Sequence, residues 1–544
     1  MSSASQPNQI KHVEQPSQLQ TLKSGAWGPL REPVFRALWI AAVASNVGTW
    51  MEDVGEAWLM TSLSTSTLLV ALVETAGSLP VVLLAIPSGA FADLFDRRRL
   101  LLITQTWMLI VAATLGILTI AGRTTPWLLL SLAFALGLGA AANAPAWEAI
   151  TPELVSRSDL PAAVTLGAVA FNVARAIGPA LGGLLVAAFG SGAVFLLNAI
   201  SFLGVIVVLY RWRRPIEKSN LPPEHVLGAL RAGLRYVRHT PAIQSVLVRT
   251  ATFILCASAL WALLPVVARR ELGLSAAGYG VLLGCFGFGG VTGASFLPRV
   301  RQRISTDVLV IGATLVFAAV TIVLGYVHIA VLVGGSLFFG GIAWMGLLST
   351  FNVAAQTGAA AWVRARVLGI YMLAFFGSWA CGSALWGWVA GRAGISLTLL
   401  IAAVGLVVGL APGIRFKLRC AEDLDLTPSA HWPEPRVQLE LEVQTGPVLV
   451  TIEYKIDPKD AEQFTKAARA SGEIKRRDGA FYWNLFRDTD DPSRFIETFI
   501  VDSWAEHLRQ HGRLTRADRI IDDRVQSFHL GDSPPKISHL IAES

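Results

Sequence analysis

Long apolar stretches recur along the chain as far as Arg415, and they limit the folds open to it more than any other feature. A helix needs about 20 apolar residues to cross the hydrocarbon core of a bilayer, and about twelve stretches reach that length. Their approximate limits are 35–62, 66–92, 99–122, 126–149, 162–189, 192–211, 245–268, 276–298, 306–327, 329–354, 366–391 and 395–415. The pattern predicts an all-α membrane protein with about twelve transmembrane helices.

The composition agrees with a membrane protein. Charged residues make up 15% of the chain and hydrophobic residues 53%, whereas an ordinary soluble protein carries about 25% charged residues. The net charge of +7 would favour nucleic acid as the partner of a soluble chain. Here the basic residues lie at the ends of apolar stretches, so we expect a lipid bilayer and no nucleic acid.

Basic residues are distributed unevenly between the loops on the two sides of the predicted membrane. With a cytoplasmic N-terminus, the outer loops contain only Arg123, Arg269, Arg270 and Arg392, and the inner loops contain the rest, including Arg97, Arg98 and Arg99. Because Lys and Arg are enriched on the cytoplasmic side, both termini are predicted to be cytoplasmic. Residues 1–32 are polar and predict a disordered cytoplasmic tail without a cleavable signal.

A polar, basic segment at 212–244 divides the membrane region into two halves, 33–211 and 245–419, with about six spans each. Matching spacings indicate an internal duplication. Asn143 precedes Arg157 by fourteen positions, and Asn352 precedes Arg366 by the same interval. In the same way, the spacing of Gly89, Asp93 and Arg97 matches that of Gly293, Leu297 and Arg301.

The character of the chain changes after the last apolar stretch. Residues 420–447 are polar and rich in Pro, which predicts a linker, and residues 533–544 are expected to form a tail. Between them, alternating patterns predict strands at 448–456, 480–487 and 493–501 and helices at 458–477 and 505–527. This order favours a small ferredoxin-like α+β domain over residues 448–532.

Four carboxylates lie in the first two apolar stretches. Glu52, Asp53 and Glu56 share with Asn46 an arc of about 120° on one helix face, and Glu74 lies nearer the middle of the second stretch. Carboxylates in a membrane are costly and usually face a cavity or a partner. They are candidates for binding protons or substrate. The alternative is that the first helix extends outward and its acids lie at the outer mouth.

Arg175 lies near the centre of the fifth stretch, where an arginine needs a counter-charge, water or an anionic substrate. The four carboxylates are its candidate partners. The pair would either fix helix packing or exchange with protons or substrate, and the two roles are compatible. Asn143, Asn352 and Gln356 are further polar positions in apolar stretches that are candidates for lining a substrate cavity.

Two short motifs carry a family resemblance. Gly89, Asp93 and Arg97–Arg99 lie between two apolar stretches, so they must reach a membrane surface. A plain stop-transfer turn would explain the arginines but not the spacing of Gly89 and Asp93. The pattern resembles the loop between helices 2 and 3 of the major facilitator superfamily, with Asp96 where a glycine is common, and implies a gating role. Gly178, Pro179, Gly182 and Gly183 permit close helix packing and resemble the fifth-helix motif of drug-exporting antiporters in that superfamily.

The membrane region as a whole resembles the major facilitator superfamily, and most of all the branch that contains the enterobactin exporter and related drug-efflux proteins. Ser45–Met51 (SNVGTWM), Gly89–Arg99 and Arg175–Gly183 carry this resemblance. It implies two six-helix bundles that export small organic molecules in exchange for protons across a bacterial inner membrane. An ATP-binding loop of the Gly-x-x-x-x-Gly-Lys-Ser/Thr type does not occur in the sequence, and no cofactor is expected.

The C-terminal domain resembles antibiotic-biosynthesis-monooxygenase-like domains through Tyr482–Asn484 and Glu497–His507. Such domains often pair, so the resemblance implies a homodimer through this domain. It leaves two roles open, an enzyme tethered to a transporter and a dimerisation or regulatory module. His507 and His511 stand four residues apart on the last predicted helix. We expect a solvated helix face there rather than a metal site, since two histidines alone are weak evidence for a metal.

Overall fold

The computed structural model describes residues 27–84, 96–156, 158–212, 226–411, 413, 425–429, 432, 445–531 and 533–542. The described residues of the first half of the membrane region form six long helices. These helices are α1 (Pro33–Leu63), α2 (Thr67–Leu84), α3 (Arg97–Ile120), α4 (Pro126–Leu154), α5 (Leu160–Phe189) and α6 (Ser191–Arg211). Gly190 separates α5 from α6 at a positive φ of 80°, a conformation that glycine adopts without strain.

The second half repeats this arrangement after a short amphipathic helix, α7 (Val226–Arg238). It contains α8 (Pro241–Val266, continued by a π-helical turn at Val267–Glu271), α9 (Ala276–Arg301), α10 (Thr306–Tyr326), α11 (Ala330–Thr357), α12 (Arg364–Ala393) and α13 (Ile395–Val408). The segment 212–244, predicted as a polar linker, is therefore partly helical. It contains α7 and the first turn of α8, because Pro241 begins that helix four residues before the expected span.

Ten of the described helices, counting α8 with its π-helical turn, are long and apolar enough to cross a membrane. Two others differ from these ten. The carboxylates of Glu52, Asp53 and Glu56 interrupt the apolar surface of α1, and α13 has only 14 residues. The multi-pass membrane architecture is thus confirmed, and the count of about twelve spans stays a prediction.

Two helix pairs provide most of the described contact between the halves. α2 packs along α12, where Thr67 Oγ1 donates to the carbonyl of Gly387 at 3.0 Å and Thr75 Oγ1 donates to that of Ala380 at 3.0 Å. α5 packs along α9 through the small residues of both helices. Arg269, after α8, reaches Thr61 at the end of α1 with an Nη1 to Oγ1 distance of 3.1 Å. The halves are therefore in contact at the end of the bundle that the sequence predicts to be outside.

The C-terminal domain is a four-stranded antiparallel sheet with helices on one face. Its elements are β1 (Val448–Lys455), α14 (Ala461–Asp478), β2 (Tyr482–Arg487), β3 (Arg494–Val501), α15 (Trp504–Arg513), α16 (Arg516–Gln526) and β4 (Lys536–Ile541). The strand order is β2-β3-β1-β4, which is the ferredoxin-like arrangement. The prediction of a small α+β domain is confirmed.

Two details of the predicted domain are wrong. Residues 536–541, assigned to a tail, form β4 and pair with β1 from Val448–Ile541 to Glu453–Lys536. The single helix predicted at 505–527 is two helices, because the Thr515 hydroxyl and the Asp518 carboxylate form a reciprocal cap that starts α16. Within the predicted linker 420–447, Trp432 packs on Phe499 and donates from Nε1 to Asp522 Oδ2 at 3.0 Å.

Candidate functional site

The four carboxylates of α1 and α2 come together inside the membrane region. Glu52 and Glu56 are buried, Glu74 is half-buried and Asp53 is exposed on the same stretch of α1. Glu52 Oε2 accepts a hydrogen bond from the side-chain amide of Asn198, a fully buried residue of α6. Sequence reasoning missed this donor, because one uncharged amide in an apolar stretch gives no signal of its partner.

The carboxylate cluster, defined as Glu52, Asp53, Glu56 and Glu74, has an unbalanced charge. Glu56 is repelled by the other three members, and none of the four forms a salt bridge with a basic side chain in the described ranges. The Oε1 atoms of Glu52 and Glu56 are buried without a hydrogen-bond partner among these residues. Because an unpaired buried carboxylate is costly, protons or a cationic cargo are the species able to neutralise this cluster.

A hydrogen bond links the carboxylate cluster to the second half. Trp379 on α12 donates from Nε1 to Glu74 Oε2 at 3.1 Å. The indole of Trp379 also packs against Trp261 and Trp344, with ring centroids 5.7 Å away in each case. The Nε1 atoms of Trp261 and Trp344 are buried without a partner in the part of the chain that the structure describes. Trp379 therefore connects the aromatic core of the second half to the acidic helices across the boundary between the halves.

Arg175 does not have the acidic partner that the sequence predicted. Its guanidinium lies over the ring of Trp50 at 5.9 Å, and no described carboxylate pairs with it. The reason is the packing of α5 on α1. A Cβ at Gly178 would meet the side chain of Trp50, and a Cβ at Gly182 would lie 2.8 Å from Met51 Cα. This contact places Arg175 beside Trp50, while Glu52 points towards α6.

The three predicted polar cavity residues lie apart from the carboxylate cluster. Asn143 Oδ1 accepts from Thr104 Oγ1 at 2.9 Å and from Gln105 Nε2 at 3.3 Å, so it joins α4 to α3. Asn352 and Gln356 bond to each other within α11, with an Oδ1 to Nε2 distance of 2.5 Å. These residues belong to the contacts of their own halves in this conformation.

The arginines at the start of α3 have different partners. Gly89 and Asp93 lie outside the described residues, so the gating role that the resemblance implies for this loop stays a prediction. Arg97 Nη1 donates to Glu153 Oε1 at 2.9 Å and to the Ala149 carbonyl at 3.2 Å. Sequence reasoning missed Glu153, an acid at the end of α4.

Arg98 and Asp96, the residues on either side of Arg97, make different contacts. Arg98 donates from Nε to the Leu209 carbonyl at 2.8 Å and from Nη2 to that of Tyr210 at 2.7 Å, at the end of α6. Asp96 caps α3 by accepting from the Arg99 N–H at 2.9 Å. The aspartate that stands in place of the common glycine therefore starts the helix.

In the second half, the counterpart of Arg97 also contacts the fourth helix of its own half, at a different position along that helix. Arg301 Nη2 donates to Ser349 Oγ and to Thr350 Oγ1, both at 3.1 Å. Arg97 binds the inner end of α4, the fourth helix of its half, and Arg301 binds α11, the fourth helix of the other. The shared contact supports the duplication that the spacing predicts.

The glycine motif of α5 packs on two neighbours. Gly178 and Gly182 face α1, whereas Gly183 faces α9, where a Cβ would lie 2.6 Å from the Ala276 carbonyl oxygen and 2.7 Å from Gly280 Cα. The carbonyl of Pro179 lies beside Gly280 in the same contact. Gly183 thus belongs to the boundary between the halves.

Trp483 and Glu497, from the segments that carry the monooxygenase-like resemblance, belong to the core of the C-terminal domain. Glu497 is fully buried and accepts from Lys475 Nζ at 2.6 Å, from Trp483 Nε1 at 2.6 Å and from the Tyr454 hydroxyl at 3.0 Å. These four side chains satisfy one another. The arrangement favours a structural role over a catalytic one.

The histidines of α15 are not on a solvated helix face. His507 is 1% exposed and stacks near His539 and His511, with ring centroids 4.8 Å and 5.0 Å away. Burial, together with the two neighbouring imidazoles, lowers the pKa of His507 to about 4. Within the described residues, no three His, Cys, Asp or Glu side chains are grouped to hold a metal ion.

Solved structures align with most of this chain and with nearly all of their own length. A bacterial homologue of the human lysosomal transporter Spinster, in an inward-facing and occupied conformation, aligns with a TM-score of 0.57 and 15% identity over 73% of this chain and 98% of its own. The nucleoside transporter NupG aligns with a TM-score of 0.54 and 14% identity over 71% of this chain and all of its own length. At this identity the likeness establishes the fold.

Curated relatives are transporters of bacteria. The multidrug efflux pump Tap of Mycolicibacterium fortuitum is 27% identical over 69% of this chain and 95% of its own length. The staphyloferrin A transporter of Staphylococcus aureus is 25% identical over 47% of this chain, and the enterobactin exporter of Shigella boydii is 27% identical over 52%. The match covers 65% of the staphyloferrin A transporter and 67% of the enterobactin exporter.

A family model described as "transmembrane secretion effector" matches residues 24–544, and thus includes the C-terminal domain as well as the membrane helices. The resemblance of that domain to monooxygenase-like domains remains an interpretation. Two joined helical halves, their corresponding arginine contacts and this match over nearly the whole chain lead to one conclusion: the chain belongs to the transmembrane secretion effector family of major facilitator superfamily transporters.

Proposed function

We propose that the chain exports small organic molecules from the cytoplasm of a bacterium in exchange for protons. The observation that carries the proposal is a cluster of four carboxylates without a described basic partner, tied to the opposite half by the bond between Trp379 and Glu74. Protonation of Glu74 would remove the charge from this hydrogen bond and weaken it. Proton binding and the contact between α2 and α12 are thereby coupled.

The names of the relatives support export but disagree about the cargo. Tap is named for multiple drugs, and others for siderophores. The carboxylates and the indole of Trp379 beside Glu74 suit a cation, because aromatic faces and carboxylates both attract positive charge. We therefore test the proposal with ethidium, a cation, and with enterobactin.

The test uses inside-out vesicles with an acidic lumen. The parent chain should accumulate ethidium or enterobactin, and dissipating the proton gradient should abolish accumulation. Glu74→Gln should lose this dependence while still binding cargo. Glu148→Gln is the matched control, because Glu148 is exposed on α4 away from the cluster. Accumulation of neither compound, or proton-driven transport by Glu74→Gln at the parental rate, would contradict the proposal.

We also propose twelve spans in the inner membrane with both termini in the cytoplasm. The uneven distribution of arginines supports this orientation, and α1 and α13 would complete the ten helices that are apolar enough. Reporter fusions at Ser219 and Ser544 should both report the cytoplasm. A periplasmic signal from either fusion would overturn the orientation or the count.

A pairing of two copies through the C-terminal domain is a second proposal. The sheet face opposite the helices carries an apolar row across its four strands, formed by Tyr482, Ile500, Leu449 and Leu540. Tyr482 is 39% exposed and Leu540 is 53% exposed. A second copy of the same face would bury this row. Light scattering of the full chain in nanodiscs should give two copies, and Ile500→Lys should give one; a single copy in the parent would refute the pairing.

A further inference from the structure

The C-terminal domain packs against the membrane region. It contacts α7, which lies in the segment between the two halves, and the turn at residues 358–363 between α11 and α12. We call this contact the docking interface. On the membrane side it consists of Arg235 and Tyr236 from α7, of His239 directly after α7, and of Trp362 from the turn.

An ion pair and a histidine–carboxylate contact fasten the domain to the end of α7. Arg235 Nη2 lies 3.0 Å from Glu506 Oε1, and both side chains are largely buried, at 21% and 14% exposed. Glu506 is fixed in turn by Arg513, whose Nη1 and Nη2 atoms lie 2.6 Å and 3.2 Å from its two oxygens. At the end of α7, His239 Nδ1 lies 2.8 Å from Glu473 Oε2.

Aromatic residues fasten the domain to the turn. The guanidinium of Arg513 lies over the ring of Trp362 at 4.5 Å, and that of Arg477 lies over Tyr236 at 5.5 Å. Tyr236 is 1% exposed, and its hydroxyl accepts from the Ala360 N–H at 3.2 Å. This one side chain therefore belongs to α7 and contacts both the domain and the turn.

The domain side of the docking interface is rigid. Arg477 makes paired hydrogen bonds to Asp518, at 3.0 Å and 2.7 Å, and to Asp478, both at 2.8 Å. All three residues are buried. Asp518 is also part of the cap of α16. These three side chains cannot rearrange to follow a motion of the turn, because each charged group among them already has its partners.

The membrane side of the docking interface belongs to helices that must move. α12 starts one residue after the turn and packs along α2 of the opposite half. α7 approaches the start of α12 closely, since a Cβ at Gly233 would lie 3.0 Å from Arg366 Cβ. When two halves rock about a central site, the inner ends of such helices change position. The docking interface must then deform or open.

We propose that the C-terminal domain restrains the transport cycle by holding α7 and the turn between α11 and α12 in the conformation described above. The inference rests on the proposed transport function. Every docking contact stabilises this conformation, and the contacts are lost when the inner end of α12 moves. Release of the domain therefore speeds the step that leaves this conformation.

The first test weakens the docking interface from the membrane side. Arg235→Ala removes the pair with Glu506 and should raise the turnover of ethidium or enterobactin by about three- to tenfold, which lies in the lower part of the range of coupling between contacting groups. Arg231→Ala is the matched control, because Arg231 lies one turn earlier on α7 and is exposed. Hydrogen exchange should increase in residues 358–363 and stay slow in β1 and β3, which shows release without unfolding.

The second test closes the docking interface covalently. Arg235→Cys with Glu506→Cys, in a chain without its four native cysteines, is assayed before and after bridging by a short bis-maleimide. The unbridged chain should transport faster than its cysteine-free parent, and the bridged chain should be nearly inactive. Released chains that transport at the parental rate or slower, or a bridged chain that transports normally, would overturn the inference. A parent chain that moves neither compound would instead refute the proposed function, and exchange in the turn would still report docking.

Discussion

The arginines that follow α2 show which properties of a residue follow from the sequence and which depend on the fold. Their positive charge and their place at a membrane surface follow from the sequence. The acid that Arg97 contacts in the structure is Glu153, fifty-six residues away, and local spacing carries no information about it. Asp96, a departure from the family pattern, is explained by its role as a helix cap.

Substitutions of Arg97 and Arg99 should therefore differ in their effect on transport. Arg97→Ala loses the contacts with Glu153 and the Ala149 carbonyl, and we expect transport to fall about tenfold or more, since removal of one partner of a charged hydrogen bond costs about 1.5–3 kcal/mol. Arg99→Ala should transport normally, because that side chain is exposed. Equal losses in the two variants, measured in vesicles at matched expression, would refute the distinction.

The contact of Arg175 with Trp50 leads to a second prediction, which concerns thermal stability. Because a guanidinium over an indole is worth about 0.5–2 kcal/mol, Arg175→Gln and Trp50→Leu should each lower the thermal stability of the purified chain. The double variant should lose less than the sum of the two single losses. Strict additivity in a double-mutant cycle would show that the two side chains do not interact.

His507 predicts an acid-sensitive C-terminal domain. Its pKa is about 4 in the fold, where burial and two neighbouring imidazoles oppose the charge, and about 6.5 in an unfolded chain. A lowered pKa means that the neutral form stabilises the fold, so stability is lost as the pH falls from about 6.5 towards 4. The loss amounts to roughly 2 kcal/mol by pH 5.

Hydrogen exchange of β1 and β3 in the full chain measures this effect. Protection should fall between pH 7 and pH 5 in the parent, after correction for the intrinsic exchange rate, and should fall less in His507→Gln. Asp478, whose pKa burial raises to about 6 despite the neighbouring Arg477, changes stability in the opposite sense in both chains. An identical pH dependence in parent and variant would show that His507 is not responsible.

Among the elements, the glycines of α5 distinguish packing within a half from packing between halves. Gly182→Ala places a Cβ 2.8 Å from Met51 Cα, within the first half, whereas Gly183→Ala places one 2.6 Å from the Ala276 oxygen across the boundary. The first should lower thermal stability by about 1–3 kcal/mol, as overpacking does. The second should chiefly separate α5 from α9 and favour opening at that end.

Labelling of a cysteine introduced at Thr61 tests this difference. Thr61 is buried where Arg269 of the second half meets α1, so its reaction with an impermeant maleimide reports opening. Labelling should accelerate in Gly183→Ala and not in Gly182→Ala. Gly77→Ala is the control, because a Cβ there meets no atom within 4 Å. Equal labelling in all three would place Gly183 outside the moving boundary.

The elements were predictable where one local pattern determines them. Apolar stretches predicted the membrane helices, and alternation predicted β1, β2 and β3. β4 was missed because it is short and half-exposed and is defined by its pairing with β1, far away in the chain. The break between α15 and α16 had a local signal, the Thr515-x-x-Asp518 cap, within a stretch that otherwise reads as one helix.

For the whole molecule, the division into two halves follows from repeated spacings, and the corresponding contacts of Arg97 and Arg301 agree with it. The carboxylates were recognised because charge is rare in an apolar stretch. The partners of these groups depend on how helices pack, which explains why Asn198, Trp379 and Trp50 were not foreseen. The docking of the C-terminal domain joins residues from four separate segments, so no single stretch of sequence contains it.

The position of β4 in the chain has a consequence for biosynthesis. β1 is the inner neighbour of β4 in the sheet, yet it leaves the ribosome long before β4 does, and the membrane helices are made earlier still. Domains begin to fold as they emerge, N-terminal parts first. A nascent chain would thus hold inserted helices beside a sheet that still lacks its last strand. The transporter is assembled before its C-terminal domain is complete, and any restraint by that domain is the last property the molecule acquires.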